Sequence, residues 1–174
     1  MWNSSQLIND PIIVQQLLPL TYTRELKDLL IGIRTIETKW EAMAGRIPSD
    51  CYILGSCIPT LELVDALTNL ANDTCLMWQN QWIAYRSSGQ QNPSQLAIHQ
   101  LTKQPLFIAY PEDCIAANNQ ALRTEIQPNQ PNLAAHAEMG TSFIAPENCF
   151  VDSSATVHGS IIDASQGPVH IGAH

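Results

Sequence analysis

The sequence is poor in basic residues. Only 8 of its 174 residues are Lys or Arg, against 16 Asp or Glu, and the formal net charge at pH 7 is −8. The few basic residues are scattered along the chain, whereas nucleic-acid binding needs clustered Lys and Arg to neutralise phosphates. This composition argues against a nucleic-acid partner.

Signals for export, membrane insertion and zinc binding are also missing. Residues 1–5 lack the basic and apolar regions of a secretion signal. No apolar run approaches the length of a bilayer span. None of the 5 cysteines forms a C-x-x-C pair, and no His stands beside them at zinc-ligand spacing. We therefore expect a cytoplasmic protein without a membrane partner, whose reduced thiols pack mostly as small hydrophobic groups.

Strand and helix patterns alternate over the first three quarters of the chain. An amphipathic pattern predicts a helix over residues 35–44, and Thr60 is the predicted N-cap of a second helix over residues 61–70. A third helix is predicted over residues 113–126, and strands over residues 7–8, 51–54, 75–78, 82–85 and 106–110. This alternation predicts an α/β domain over residues 1–132, with Pro128 and Pro131 marking a linker at 127–132.

Residues 151–174 have a different periodicity. Val151 and Val157 stand six positions apart, and Ala155 and Ile161 each follow four positions later. This is the hexapeptide pattern of a parallel β-helix, in which the aliphatic side chain points inward and the second residue lies at a corner. The phase slips at Asp163. We predict a linker over residues 133–147 and the first coils of a β-helix over 148–174. Because a β-helix needs several stacked repeats, we expect this chain to be the front part of a longer protein.

The opening of the chain carries a more specific pattern. It reads Leu-Leu-Pro-Leu-Thr-Tyr-Thr-Arg at residues 17–24 and Ile-Gly-Ile-Arg-Thr-Ile at residues 31–36, with Asp10-Pro11 before and Lys39-Trp40 after. Together with the hexapeptides, this resembles the bacterial sugar-1-phosphate nucleotidyltransferases that carry a left-handed β-helix. The closest resemblance is to the UDP-N-acetylglucosamine diphosphorylase/glucosamine-1-phosphate N-acetyltransferase-like branch, and it covers nearly the whole chain.

The resemblance implies a fold, an activity and partners. It implies a nucleotidyltransferase-like (Rossmann-like) α/β domain followed by a left-handed parallel β-helix that assembles as a homotrimer. The substrates would be a nucleoside triphosphate and a sugar 1-phosphate, with Mg²⁺ as cofactor, and the product UDP-N-acetylglucosamine or a dTDP-sugar. An acyltransferase module would use the β-helix further along the parent chain. In such a reaction, cationic side chains and backbone N–H groups position and neutralise the phosphates.

The chain departs from the family pattern at several points. No Gly-rich loop precedes Pro19, and Glu25 stands where the close branch has Pro. Gln79-Asn80 replaces the expected Gly-Asp, and an amide binds a hard cation more weakly than a carboxylate does. Two hypotheses stay open. One is a nucleotidyltransferase; the alternative is a non-catalytic sugar-nucleotide-binding or assembly scaffold with a degenerate site.

We predict two catalytic and four substrate-binding residues, and no metal ligands. Arg24 is the predicted phosphate contact, because its planar fork suits phosphate oxygens; the alternative is a surface arginine paired with Glu25 or Asp28. Lys27 would assist at the phosphates or be a solvated loop lysine. The predicted substrate-binding residues are Asp10, Thr21, Thr23 and Asn80.

Several other polar residues have simpler interpretations. Asp10 could equally cap the following turn, and Asp113 is more simply explained as a helix N-terminus than as a support for the site. The four histidines near the end of the chain match no general base of β-helix acetyltransferases and are predicted to be solvated: His136, His158, His170 and His174.

Overall fold

The computed structural model describes residues 3–89, 92–126, 133 and 139–173. The chain forms two compact units, Met1–Asn119 and Gln120–His174. The predicted linker at 127–132 and two of the histidines, His136 and His174, lie outside the described residues. None of the described helices is long and apolar enough to cross a bilayer.

The first unit is built on a five-stranded mixed sheet. Its elements in chain order are β1 Leu7–Ile8, α1 Pro11–Gln16, β2 Leu30–Ile31, β3 Arg34–Thr35, α2 Ile36–Glu41, β4 Cys51–Leu54, α3 Leu61–Thr68, β5 Thr74–Trp78, β6 Gln81–Arg86 and β7 Ala97–Gln100; α4 Asp113–Glu125 begins in this unit. The sheet has the order β1-β4-β6-β5-β7, while β2 and β3 form a separate hairpin. The predicted α/β class is confirmed.

Strand direction decides which residues share an edge of the sheet. β1 is parallel to β4, and β5 is parallel to β7. β6 is antiparallel to both of its neighbours, β4 and β5. Four strands therefore end at the same edge, and β6 begins there. We call this the carboxyl edge of the sheet.

The predicted helix N-cap at Thr60 is confirmed, and the structure shows a second threonine cap at Thr35. The Thr35 side chain accepts from the Thr38 N–H, and that of Thr60 from the Leu63 N–H, which satisfies donors that the first helical turn leaves free. α2 buries Trp40 completely, and the Trp40 indole N–H donates to the Cys57 carbonyl over 2.8 Å. Fully buried side chains pack around the sheet, among them Leu17, Leu26, Ile53, Leu54, Leu67 and Ile83.

Some predicted element boundaries were wrong. Residues 106–110 do not form a strand; Phe107 makes an isolated antiparallel bridge to Cys57 instead. Pro105 and Pro111 flank this short segment, and proline cannot donate to a sheet ladder. β7, the exposed edge strand, was not predicted from the sequence. All four of its residues are exposed, and their sequence lacks the alternation of polar and apolar residues that predicts a strand.

The second unit contains four short strands that pair in parallel. They are β8 Ser142–Ile144, β9 Cys149–Val151, β10 Ile161–Asp163 and β11 Val169–Ile171. β10 pairs with β8, and β11 with β9. Each strand therefore meets a partner roughly three hexapeptide units further along the chain. This parallel pairing is compatible with β-helix coils, while the left-handed β-helix itself stays a prediction.

Burial in the second unit refines the predicted repeat. Cys149, Ala155, Val157 and Ala164 are buried, whereas Ile161 is 76% exposed. The interior residues are thus mostly small, and Ile161 does not contribute to them. β8 lies inside residues 133–147, which were predicted as linker; because it pairs with β10, residues 142–144 belong to the strand pairs of this unit.

Candidate functional site

Three segments that carry predicted site residues meet at the carboxyl edge of the sheet. Asp10 follows β1, and Gln79-Asn80 connects β5 to β6. The segment after Arg24 is attached to the same edge, because the Leu26 N–H donates to Asn9 Oδ1 over 3.1 Å. In open α/β sheets, ligands bind in the crevice outside the carboxyl ends of the strands. This edge is the candidate functional site.

Both oxygens of the Asp10 carboxylate are engaged. Oδ1 accepts from the backbone N–H groups of Ile12 and Ile13, at 2.9 and 3.3 Å, and so caps α1. Oδ2 accepts from the Trp82 indole N–H over 2.7 Å. Asp10 thus acts as an N-cap, which was one of its two predicted roles. A ligand that used Oδ2 would have to replace Trp82.

The two threonines of the opening motif differ in availability. Thr21 is buried, and its hydroxyl donates to the Val14 carbonyl over 2.7 Å. Thr23 is exposed. A hydroxyl that is already used inside the fold contributes less to a ligand than a free one. Thr23 is therefore the better placed of the two for substrate contact.

Arg24 is exposed at the surface beside the carboxyl edge. Among the described residues it has no ion pair, so the predicted alternative of pairing with Glu25 or Asp28 is not seen. Glu25 lies 3.7 Å from Lys27 instead, and the Asp28 carboxylate accepts from the Glu25 N–H over 3.2 Å. Within the described part of the chain, the guanidinium group is therefore available to an anion.

Lys27 lies between acidic groups. Its Nζ is 3.3 Å from Glu37 Oε1 and donates a hydrogen bond to it. Partial burial lowers the pKa of Lys27, but the hydrogen bond and charge of Glu37, together with Glu25 and Asp28, outweigh burial and raise it. Lys27 therefore stays protonated, and its charge is largely balanced within the protein.

Asn80 lies in the tight turn of the β5–β6 hairpin. Trp78 pairs with Gln81, so the turn consists of Gln79 and Asn80 alone. Gln79 has a φ of 52°, as two-residue hairpin turns require. Both turn residues are exposed. The Asn80 amide therefore projects at the edge of the site as a neutral group that can donate and accept hydrogen bonds.

The described residues do not form a dedicated site for Mg²⁺. They contain no group of three or more His, Cys, Asp or Glu side chains that could hold a metal ion. Asp10, the carboxylate at the carboxyl edge, already uses both oxygens. Mg²⁺ prefers carboxylate oxygens together with substrate phosphates. The predicted cofactor stays a prediction, and the described side chains do not fit a resident ion.

Lys39 belongs to the opening motif but was not predicted to bind substrate or take part in catalysis. It is only 6% exposed. Desolvation by burial, with the charge of Arg34 as a second cause, lowers the pKa of Lys39 to about 8. Lysine is rarely buried, so this ammonium group is an unusual feature of the matched region. Its burial could not be seen in the motif itself.

The remaining candidates have structural explanations. The Asp113 carboxylate accepts from the backbone N–H groups of Ala109 and Tyr110, each over 2.9 Å, and so stabilises the turn that begins α4. His158 and His170 are exposed, as predicted. The thiols of Cys51, Cys57 and Cys75 are buried, and burial raises the pKa of each.

Comparison with known protein families gives a match to the first part of the chain. The family model described as sugar nucleotidyl transferase matches residues 6–51. This segment runs from the start of the sheet to β4 and contains Asp10, Thr21, Thr23, Arg24 and Lys27. The match covers less than a third of the chain and supports a sugar nucleotidyltransferase-like function at that level. Neither the curated proteins nor the solved structures give a match.

Proposed function

We propose that this chain is a sugar nucleotidyltransferase-like protein that binds a nucleoside triphosphate and a sugar 1-phosphate at the carboxyl edge of its sheet. The observation that carries the proposal is Arg24. It is exposed, free of ion pairs to the described residues, and located in the segment that matches the family. Leu26 and Asn9 hold this segment beside the end of β1.

The chemistry requires positioning and charge neutralisation. A sugar phosphate oxygen attacks the α-phosphorus of the nucleoside triphosphate, the bond to the β-phosphate oxygen breaks, and pyrophosphate leaves. Arg24 can bind two phosphate oxygens with its planar fork. Thr23 and Asn80 offer hydrogen bonds from the same edge. Lys27 adds less, because Glu25 and Glu37 already balance its charge.

The family resemblance also leads to a more specific proposal for the product and for a second module. It supports synthesis of UDP-N-acetylglucosamine or a dTDP-sugar in the cytoplasm, and an acyltransferase module built on a left-handed β-helix in the parent chain. Parallel strand pairing in the second unit supports the β-helix. The homotrimer is inferred from the β-helix alone. The substrate and the acyl donor are part of the proposal.

A second candidate is a non-catalytic sugar-nucleotide-binding or assembly scaffold. Two observations favour it. Both oxygens of Asp10 are engaged, and Lys27 is paired with acidic side chains. A site with these features can bind a nucleotide through Arg24 without accelerating phosphoryl transfer, because binding alone does not lower the barrier.

Calorimetric titration with UTP, dTTP and UDP-N-acetylglucosamine, with and without Mg²⁺, tests the binding. We expect UTP or dTTP to bind, and Arg24→Ala to weaken binding at least tenfold, because a hydrogen bond to a charged group contributes about 1.5–3 kcal/mol. Arg46→Ala is the matched control, since Arg46 pairs with Asp65 away from this edge. A folded protein that binds none of these ligands would contradict the enzyme and the sugar-nucleotide-binding candidate, and would leave only the assembly scaffold.

Pyrophosphate release separates the enzyme from the scaffold. The protein is mixed with UTP or dTTP and with glucosamine 1-phosphate or N-acetylglucosamine 1-phosphate, and released pyrophosphate is followed with time. Release that depends on both substrates and is lost in Arg24→Ala supports the enzyme. Tight nucleotide binding without release supports the scaffold.

A further inference from the structure

The β5–β6 hairpin carries two tryptophans around its turn. Residues 78–82 read Trp-Gln-Asn-Gln-Trp, and both indoles are partly exposed. Tryptophan is on average a highly buried residue, so a partly exposed indole beside a candidate site needs an explanation. The second tryptophan, Trp82, is the second residue of the antiparallel strand β6 at the carboxyl edge and contacts Asp10.

The Trp82 ring is held in one orientation. Its indole N–H donates to Asp10 Oδ2 over 2.7 Å. Its ring packs edge-to-face against Tyr85, with centroids 6.0 Å apart and an interplanar angle of 62°. Tyr85 in turn stacks on Tyr52, with centroids 5.0 Å apart. A ring that is fixed before a ligand arrives loses little conformational entropy on binding.

The two tryptophans lie on opposite faces of the hairpin. Trp78 pairs with Gln81, and Met77 pairs with Trp82. Because directly opposite residues share a face and successive residues alternate, Trp82 shares its face with Met77 and not with Trp78. Met77 is also partly exposed. Met77 therefore places an apolar side chain beside the Trp82 ring, whose N–H edge meets Asp10.

We propose that Trp82 is the platform on which the nucleobase of the bound nucleotide stacks. The inference rests on the proposed nucleotide binding and deepens it. A base offers a flat π-face that stacks on an aromatic ring, whereas a sugar presents hydroxyl groups that the apolar Met77 neighbour cannot satisfy. The triphosphate would extend from this platform toward Arg24, while Gln79 and Asn80 can hydrogen-bond the edge of the base.

Affinities for UTP and for tripolyphosphate, which lacks a base, test the platform. We expect Trp82→Leu to weaken UTP binding about tenfold, since stacking of a base on an aromatic side chain contributes about 1–3 kcal/mol. Tripolyphosphate should bind both proteins equally. Trp82→Phe should retain part of the UTP affinity, and Trp78→Leu, on the opposite face, should retain all of it.

The wild-type protein provides a second measurement that does not depend on the folding of a variant. The indole N–H resonance of Trp82, assigned by sequential assignment of the wild-type protein, should shift with UTP and not with tripolyphosphate. An unshifted resonance on saturation with UTP would overturn the platform. So would equal weakening of UTP and tripolyphosphate by Trp82→Leu, which indicates a structural role.

The outcomes distinguish this inference from the one on which it rests. If folded wild-type protein binds no nucleotide, the proposed function and the platform fail together. If UTP binds and Trp82→Leu leaves its affinity unchanged, only the platform fails. A loss of affinity for a sugar 1-phosphate, with UTP affinity unchanged, would assign Trp82 to the sugar instead and overturn the nucleobase assignment.

Discussion

Asp10 and Trp82, 72 positions apart in the sequence, are joined by a 2.7 Å hydrogen bond from the indole N–H to the carboxylate Oδ2. The bond links the first helix to the β5–β6 hairpin. It also explains why a carboxylate in the family-matched segment is not free to take a ligand in this structure. The same side chain caps α1 with its other oxygen, so one residue serves two structural purposes.

Replacing Asp10 should therefore reduce stability in a graded way. Asp10→Ala removes the cap and the Trp82 bond, and we expect a loss of about 2 kcal/mol, since a cap alone contributes about 1 kcal/mol and a hydrogen bond to a charged group somewhat more. Asp10→Asn keeps a single acceptor oxygen and can serve only one of the two contacts. We expect it to lose about half as much. Urea unfolding measures both; an Asn variant as unstable as the Ala variant would show that the cap contributes little.

The regular parts of the fold could be predicted because their signals are local. Thr60 is a recognisable N-cap, and it acts as one. β4 has the predicted bounds, Cys51–Leu54. α1 was not predicted, since its apolar residues lie between Pro11 and Pro19. Pro11 is tolerated at the first helical position, where its missing N–H has no intrahelical partner.

The site was only partly predictable, because its organisation is not local. The motif identified Arg24 as a phosphate contact and Asp10 as a substrate-binding residue or a cap. The contact of Asp10 with Trp82 depends on how β6 lies in the sheet, which neither segment encodes alone. The same holds for Lys27, whose partner Glu37 lies on α2. The buried state of Lys39 likewise depends on the packing of α2.

The cysteines should differ in reactivity despite identical chemistry. Four of the five are buried, and only Cys114 is partly exposed. Burial raises the pKa of Cys51 to about 12 and that of Cys75 to about 11, and the thiolate is the reactive form. The pKa of Cys114 is raised as well, by burial and by the charge of Asp113. Because Cys114 is the accessible thiol, we expect a thiol reagent at pH 8 to label about one thiol of native protein ahead of the others. Cys114→Ser should remove this fast phase, and urea should expose the rest. Fast labelling that persists in Cys114→Ser would contradict this assignment.

Lys39 should give the protein a measurable pH dependence. Its pKa is lowered by burial from 10.5 to about 8 in the folded state. Between these values the unfolded state binds more protons than the folded state, so the contribution of Lys39 to stability rises with pH over this range and is constant below it. We expect the free energy of unfolding of wild type, minus that of Lys39→Met, to increase from about pH 8 to about pH 10.5. Taking the difference cancels the titration of cysteine and tyrosine residues. A flat difference would mean that Lys39 titrates normally.

Gly55, at the end of β4 beside the candidate site, should not tolerate a side chain. The reason is lack of space, because its backbone is not in a positive-φ conformation. A Cβ at this position would lie 3.1 Å from the Ile8 carbonyl oxygen and 3.3 Å from the Leu26 Cβ. The Gly55 N–H also donates to the same Ile8 oxygen over 2.8 Å, so the backbone cannot move away without losing that bond. We expect Gly55→Ala to cost about 2 kcal/mol, as overpacking of a filled interior does.

The matched control is Gly45→Ala, since a Cβ at Gly45 meets no atom within 4 Å. It should be neutral or slightly stabilising, by about 0.5 kcal/mol, because alanine restricts the unfolded chain more than glycine does. Thermal or urea unfolding of the two variants beside wild type checks the pair. Equal stability of both variants would show that the ends of β1 and β4 can separate without cost. The carboxyl edge, where Arg24 is anchored, would then be less rigid than its contacts indicate.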